Sequence, residues 1–203
     1  MVTLLGITMP LALLADLAQI LAEAFIEPDA DLREDLLQLL ESGPGPTLAD
    51  PLKRMTAEVM GPEDQAVEYA RLFLHAKDTD TVHLFESVQA RGHHMAPEVI
   101  DPIRAIYDEA DISLQADLNL PPDHLGLELA CLSHLLGECL EGDLAERPRY
   151  QKLARRLIGE HLRPLLALVL EQLPQVSAHP YYLAAAELAS ALLPETEKAL
   201  AEF

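Results

Sequence analysis

His124 and Glu128 stand four residues apart, and Cys131 follows three residues later. On a helix these side chains share one face, which also carries Leu135. A carboxylate beside an imidazole fixes the ring and raises its basicity, and the same carboxylate can attract a cation. With Cys131, the set also offers three ligands to a metal ion. The ordinary alternative is an intrahelical pair, with Asp123 as a negative charge near a helix start. Zinc sites usually combine pairs such as Cys-x-x-Cys or His-Glu-x-x-His, and neither occurs here. Glu-x-x-His, the mark of a carboxylate-bridged di-metal bundle, is also missing. His93-His94 reads as a polar loop dipeptide. No metal site is therefore expected, and a small helical metalloprotein is kept only as the alternative of a different class.

Other catalytic signatures fail as well. The chain contains no Gly-x-x-x-x-Gly-Lys phosphate loop, no Gly-x-Gly-x-x-Gly and no Gly-x-Ser-x-Gly elbow. The expectation is a binding protein, not an enzyme, with no cofactor of its own.

The elements that must position these residues read as helices. Leu14, Leu17, Leu21 and Phe25 recur at helical spacing, as do Leu32, Leu36 and Leu39. Leu125, Leu129, Leu132, Leu136 and Leu140 form a stripe built for burial. Pro121, Pro122 and Asp123 read as its first turn, where proline is tolerated. Pro28, Pro44, Pro46, Pro62 and Pro97 fall between periodic segments, whereas Pro102, Pro180 and Pro194 read as helix starts, with Asp101 as a cap before Pro102. Pro164 interrupts a periodic stretch and should break or kink it near His161 or Leu162. Val82 to Val88 alternates like a strand but stands alone, so an extended loop is expected. The result is an all-α bundle of about nine or ten short helices. Residues 1–203 make a single domain, and Ser-Gly-Pro-Gly-Pro marks a local linker at residues 42–47.

Composition narrows the partners. Fourteen Lys plus Arg stand against 34 Asp plus Glu, a formal charge of −20. Nucleic acid would be repelled over most of such a surface. A cationic segment would be attracted, more so at low salt, although plain solubility also explains the charge. Cys131 and Cys139, eight positions apart on one helix, lie roughly 12 Å from each other along its axis, too far for a disulfide. The apolar beginning has no basic residue before Arg33, and Asp16, Gln19 and Glu23 interrupt it, so neither a signal peptide nor a membrane span is read there.

Several separated segments, in order, resemble the TorD/DmsD/NarJ-like assembly chaperones of molybdoenzymes. Tyr69-Ala70-Arg71-Leu72-Phe73 looks like the family's Arg-Leu-Phe helix, and Glu86-Ser87-Val88 like the motif of its following loop. Tyr107 falls in the expected helix. Pro122-Asp123-His124 with Glu128 and Leu129 matches the most diagnostic stretch. His161-Leu162-x-Pro164 and His179-Pro180-Tyr181-Tyr182 follow, with Leu165 where the family often has tryptophan. The resemblance implies a cytoplasmic, all-α chaperone. It would bind the twin-arginine leader or the apo form of a molybdopterin oxidoreductase catalytic subunit until cofactor is inserted. A leaderless client core, as for NarJ-like members, is the variant reading.

A leader joins a cationic stretch to an apolar one, so its receptor needs carboxylates beside an apolar groove. The residues expected to bind it are Glu86, Ser87, Asp123, His124, Glu128, Tyr69, Phe73, Phe85 and His161, with His124 orienting one of the acids. A homodimer formed by helix exchange would use Asp111 to Leu120 as its hinge.

Overall fold

The apolar repeat at Leu14, Leu17, Leu21 and Phe25 folds as the buried face of helix α1 (Leu11–Ile26). The computed structural model describes residues 9–28, 30–74, 81–114 and 120–203. Nine further α-helices follow among them: α2 (Arg33–Glu41), α3 (Pro46–Ala57), α4 (Pro62–Tyr69), α5 (Glu86–Arg91), α6 (Pro97–Glu109), α7 (Leu125–Glu141), α8 (Arg147–Leu157), α9 (Arg163–Gln172) and α10 (Pro180–Glu202). No strand forms among the described residues. Their isolated extended pairing is one antiparallel bridge between Phe85 and His124. The fold is all-α, and no helix among the described residues is long and apolar enough to cross a membrane.

Helix α7 is the axis of the bundle. Leu125, Leu129, Leu132 and Leu136 of its leucine stripe are buried and Leu140 partly so, and Leu127, Cys131, Leu135 and Cys139 are buried on its other sides. A helix apolar on most faces has to be surrounded, and α1, α8 and the segment before α9 pack around it. The closest approach is at Gly126. A Cβ there would lie 2.5 Å from Ile26 Cγ1 and 3.1 Å from the Ala22 carbonyl oxygen. Gly126→Ala is therefore expected to lower stability by about 1–2 kcal/mol, overpacking outweighing the helix propensity gained. A urea midpoint at or above that of the wild type would show that α1 shifts aside freely.

Prolines open helices where their missing N–H is not needed. Pro46, Pro62, Pro97 and Pro180 stand in the first turns of α3, α4, α6 and α10. His179 caps α10, its Nδ1 accepting the Tyr181 N–H. Two of the proposed starts are corrected: Pro102 and Pro194 lie inside α6 and α10. Burial of Ile100, Ile103 and Ile106 in α6, and of Leu192, Leu193 and Thr196 in α10, carries both helices through a residue that cannot donate. Asp101 accordingly caps nothing.

The chain does not break at Pro164, and the disturbance expected near His161 or Leu162 takes the form of a π-turn. Residues Ile158–Leu162 widen into a π-turn, in which the Arg163 N–H donates to the Ile158 carbonyl five residues back. This register shift absorbs the proline, so α8 and α9 continue through helical backbone.

Val82 and Leu84 are buried as their alternation suggests, but the extended loop ends there. Glu86, Ser87 and Val88 belong to α5. Residues 42–45 join α2 to α3, with Gly43 at φ +75°, and the last two positions of the expected linker at 42–47 belong to α3. Of the proposed exchange hinge, residues 115–119 lie outside the described residues.

Candidate functional site

Two helix N-termini meet at the Phe85–His124 bridge. The Leu125 N–H donates to the Leu84 carbonyl (2.8 Å), and the Glu86 N–H to the Asp123 carbonyl (3.0 Å). The Asp123 side chain then reaches the same helix end, Oδ2 accepting the Ser87 N–H at 2.7 Å. Phe85 precedes α5 without a side-chain cap of its own. Asp123 supplies that cap from 36 residues away. The assignment of Pro121, Pro122 and Asp123 to a first turn is thus corrected. Helix α7 begins at Leu125, and the acid before it serves α5.

His124 is the cap of α7, with Nδ1 accepting the Gly126 N–H at 3.2 Å. That bond needs an unprotonated Nδ1, and burial lowers the imidazole pKa to about 4. The expected His124–Glu128 pair does not form. Both Glu128 oxygens are buried without a hydrogen-bond partner among the described residues. Burial, reinforced by the charges of Glu86 and Asp123, pushes the Glu128 carboxyl well above its ordinary range. Its protonated form is favoured, and it is a poor cation ligand. The imidazole becomes less basic, not more, because desolvation acts without a bonded carboxylate to oppose it. His124, Glu128 and Cys131 also do not converge on a common point: no three His, Cys, Asp or Glu among the described residues could hold a metal ion.

Around this centre α5 is tied down at several points. His161, on the inner side of the π-turn, places Nδ1 2.7 Å from Glu86 Oε2. Gln89 and Gln172 exchange amide hydrogen bonds of 3.0 and 2.9 Å, fastening α5 to α9. The Tyr107 hydroxyl donates to the Pro122 carbonyl at 2.7 Å and holds the loop from the other side. The Phe85 ring meets those of His124 and His94 edge-on, with centroids 4.9 and 4.7 Å away. Gln89, Gln172 and His94 were missed by spacing arguments. Their partners are far away in sequence or, for His94, across a turn, and no local pattern marks them.

The predicted residues divide into two groups. Glu86, Ser87, Asp123, His124, Glu128, Phe85 and His161 gather around the α5–α7 junction. Tyr69 and Phe73 instead join Phe25 and Tyr182 in an aromatic cluster, with centroids 5.0 Å apart for Tyr69–Phe73 and 5.3 Å for Phe73–Tyr182. The Tyr69 hydroxyl donates to the Phe25 carbonyl. Exposure separates them further: Ser87, Asp123 and Glu128 are at 0% and His124 at 1%, whereas the Glu86 side chain keeps 17%.

A model of the nitrate reductase delta subunit family matches residues 27–170. The chaperone protein TorD of Vibrio cholerae serotype O1 (strain M66-2) is 26% identical over 76% of this chain and 70% of its own. The chlorate reductase assembly chaperone protein of Ideonella dechloratans is 31% identical over 70% of this chain and 67% of its own.

Proposed function

The chain belongs to the nitrate reductase delta subunit family of TorD/NarJ-type proteins, and from that premise we propose that it is a cytoplasmic assembly chaperone for a molybdopterin oxidoreductase. It binds the catalytic subunit in its apo form, through a twin-arginine leader where the client has one, and holds it for cofactor insertion. The observation that carries this reading is the match to the family model over most of the chain, joined by two chaperone relatives.

The geometry supports a binding role. A capping aspartate, a buried glutamic acid of raised pKa and a histidine of lowered basicity make a rigid junction with no nucleophile beside a general base. We assign Asp123, His124, Glu128 and Ser87 to holding α5 in place. Glu86 and Phe85, partly exposed at the edge of the same junction, are the residues that present a face to the client, and the buried His161 positions Glu86.

Co-expression with the catalytic subunit of a molybdopterin oxidoreductase from the same source tests the reading. Cofactor-free subunit should co-purify with the chain, and cofactor-loaded subunit should not. Equal capture of both forms, or of neither, would overturn it. Capture that survives removal of the client's leader would assign recognition to the enzyme core.

A further inference from the structure

Glu86 and Phe85 give the α5–α7 junction a small, partly exposed face that a client would extend beyond, and a hollow lies between α1 and α2. It encloses about 600 Å³ over an apolar floor that includes Leu13, Ile20 and Leu39. Asp16 and Glu23 rise from α1 on one side and Asp35 from α2 on the other. No lysine or arginine lines it. The hollow continues past Glu23 as a second one of about 390 Å³ over Leu127 and Ala130, with Glu27 on its edge. From Leu13 to Glu27 the track covers roughly 21 Å of α1, about four helical turns.

Its acids lack the basic partners that part of this surface has. Glu68, Glu98, Glu109, Asp111 and Glu197 each pair with an arginine. Asp16, Glu23, Glu27 and Asp35 form no ion pair among the described residues, and Glu23 receives only the Gln19 amide, at 2.9 Å. An apolar floor between rows of unpaired carboxylates complements a segment with apolar residues along one stripe and basic residues on its flanks.

We propose that the α1–α2 groove is the docking site for such an amphipathic, cationic helical segment of the client. The proposal rests on the chaperone reading above and gives it a location. Helix α1 supplies a rigid wall, because its opposite face is packed on α7. The apolar contacts hold the segment, and the carboxylates select its charge and register.

The test uses the full chain and a labelled synthetic helix of about 14 residues, with leucine and alanine on one face and arginine on its flanks. Binding is read by fluorescence anisotropy at low ionic strength. The triple variant Asp16→Asn/Glu23→Gln/Asp35→Asn should bind about tenfold more weakly or worse, whereas Glu63→Gln/Asp101→Asn/Asp108→Asn, which removes the same charge elsewhere, should lose about threefold or less. The groove variant should also lose capture of the cofactor-free catalytic subunit. Equal weakening in both triples would reduce the effect to overall charge and overturn the groove. Wild-type chain that captures the cofactor-free subunit but ignores the peptide would overturn the groove and leave the chaperone reading standing. Binding of neither would overturn both.

Discussion

Asp123→Ala is expected to lower the unfolding free energy by about 2–4 kcal/mol, visible as a reduced urea midpoint and faster amide exchange in α5. The magnitude follows from the bond that is lost. A carboxylate accepting a buried N–H at 2.7 Å is a charge-assisted hydrogen bond, and its removal leaves the Ser87 N–H without a partner in an environment closed to water. The opposing term is relief of a buried carboxylate whose Oδ1 has no hydrogen-bond partner among the described residues, and it is smaller because Oδ2 is well paired. Asp123→Asn keeps an acceptor and should recover much of the loss. An unchanged midpoint for the alanine variant would show that α5 does not depend on this cap. The same substitution also weakens client capture on the proposed reading, through displacement of Glu86 and Phe85.

The second large effect is in the pH dependence of stability, where two buried groups oppose each other. His124 has its folded pKa depressed from 6.5 to about 4, so its contribution is fully present above pH 6.5 and is lost as pH falls toward 4. The loss amounts to about 3 kcal/mol over that window. Glu128 has the reverse sign. Its folded pKa lies well above 4.5, so the unfolded chain releases the proton first and stability falls as pH rises past 4.5, by about 1.4 kcal/mol per pH unit until the folded group ionises. His124→Asn retains an acceptor for the Gly126 N–H and should flatten the acid limb. Glu128→Gln should lift the limb above pH 4.5. Urea denaturation from pH 4 to pH 8 reads both. Curves that stay parallel to the wild type would remove these residues from the acid–base balance of folding.

Much of the fold is legible without coordinates because helices carry a local signature. The burial of Leu14, Leu17, Leu21 and Phe25, and of Leu125, Leu129, Leu132 and Leu136, is written in their spacing. Pro180 marks a start for the same local reason, while Pro102 and Pro194 mislead. A proline reports what its own N–H cannot do, and says nothing of the packing that carries a helix through it or the π-turn that absorbs it. The proximity of Asp123, His124 and Glu128 was legible too, and Ser87 and Glu86 join them at one centre.

Their roles were not legible. Spacing paired His124 with Glu128 and placed Asp123 in the first turn of α7, because only neighbours along one helix are visible to a periodicity argument. The sequence by itself determined an all-α, strongly acidic chain of the chaperone type and the order of its helices. Tertiary structure decided that Asp123 caps a helix 36 residues upstream and that burial raises the Glu128 pKa. Capping bonds and desolvation depend on which distant segments share a buried volume, and that is set only when the bundle closes around α7.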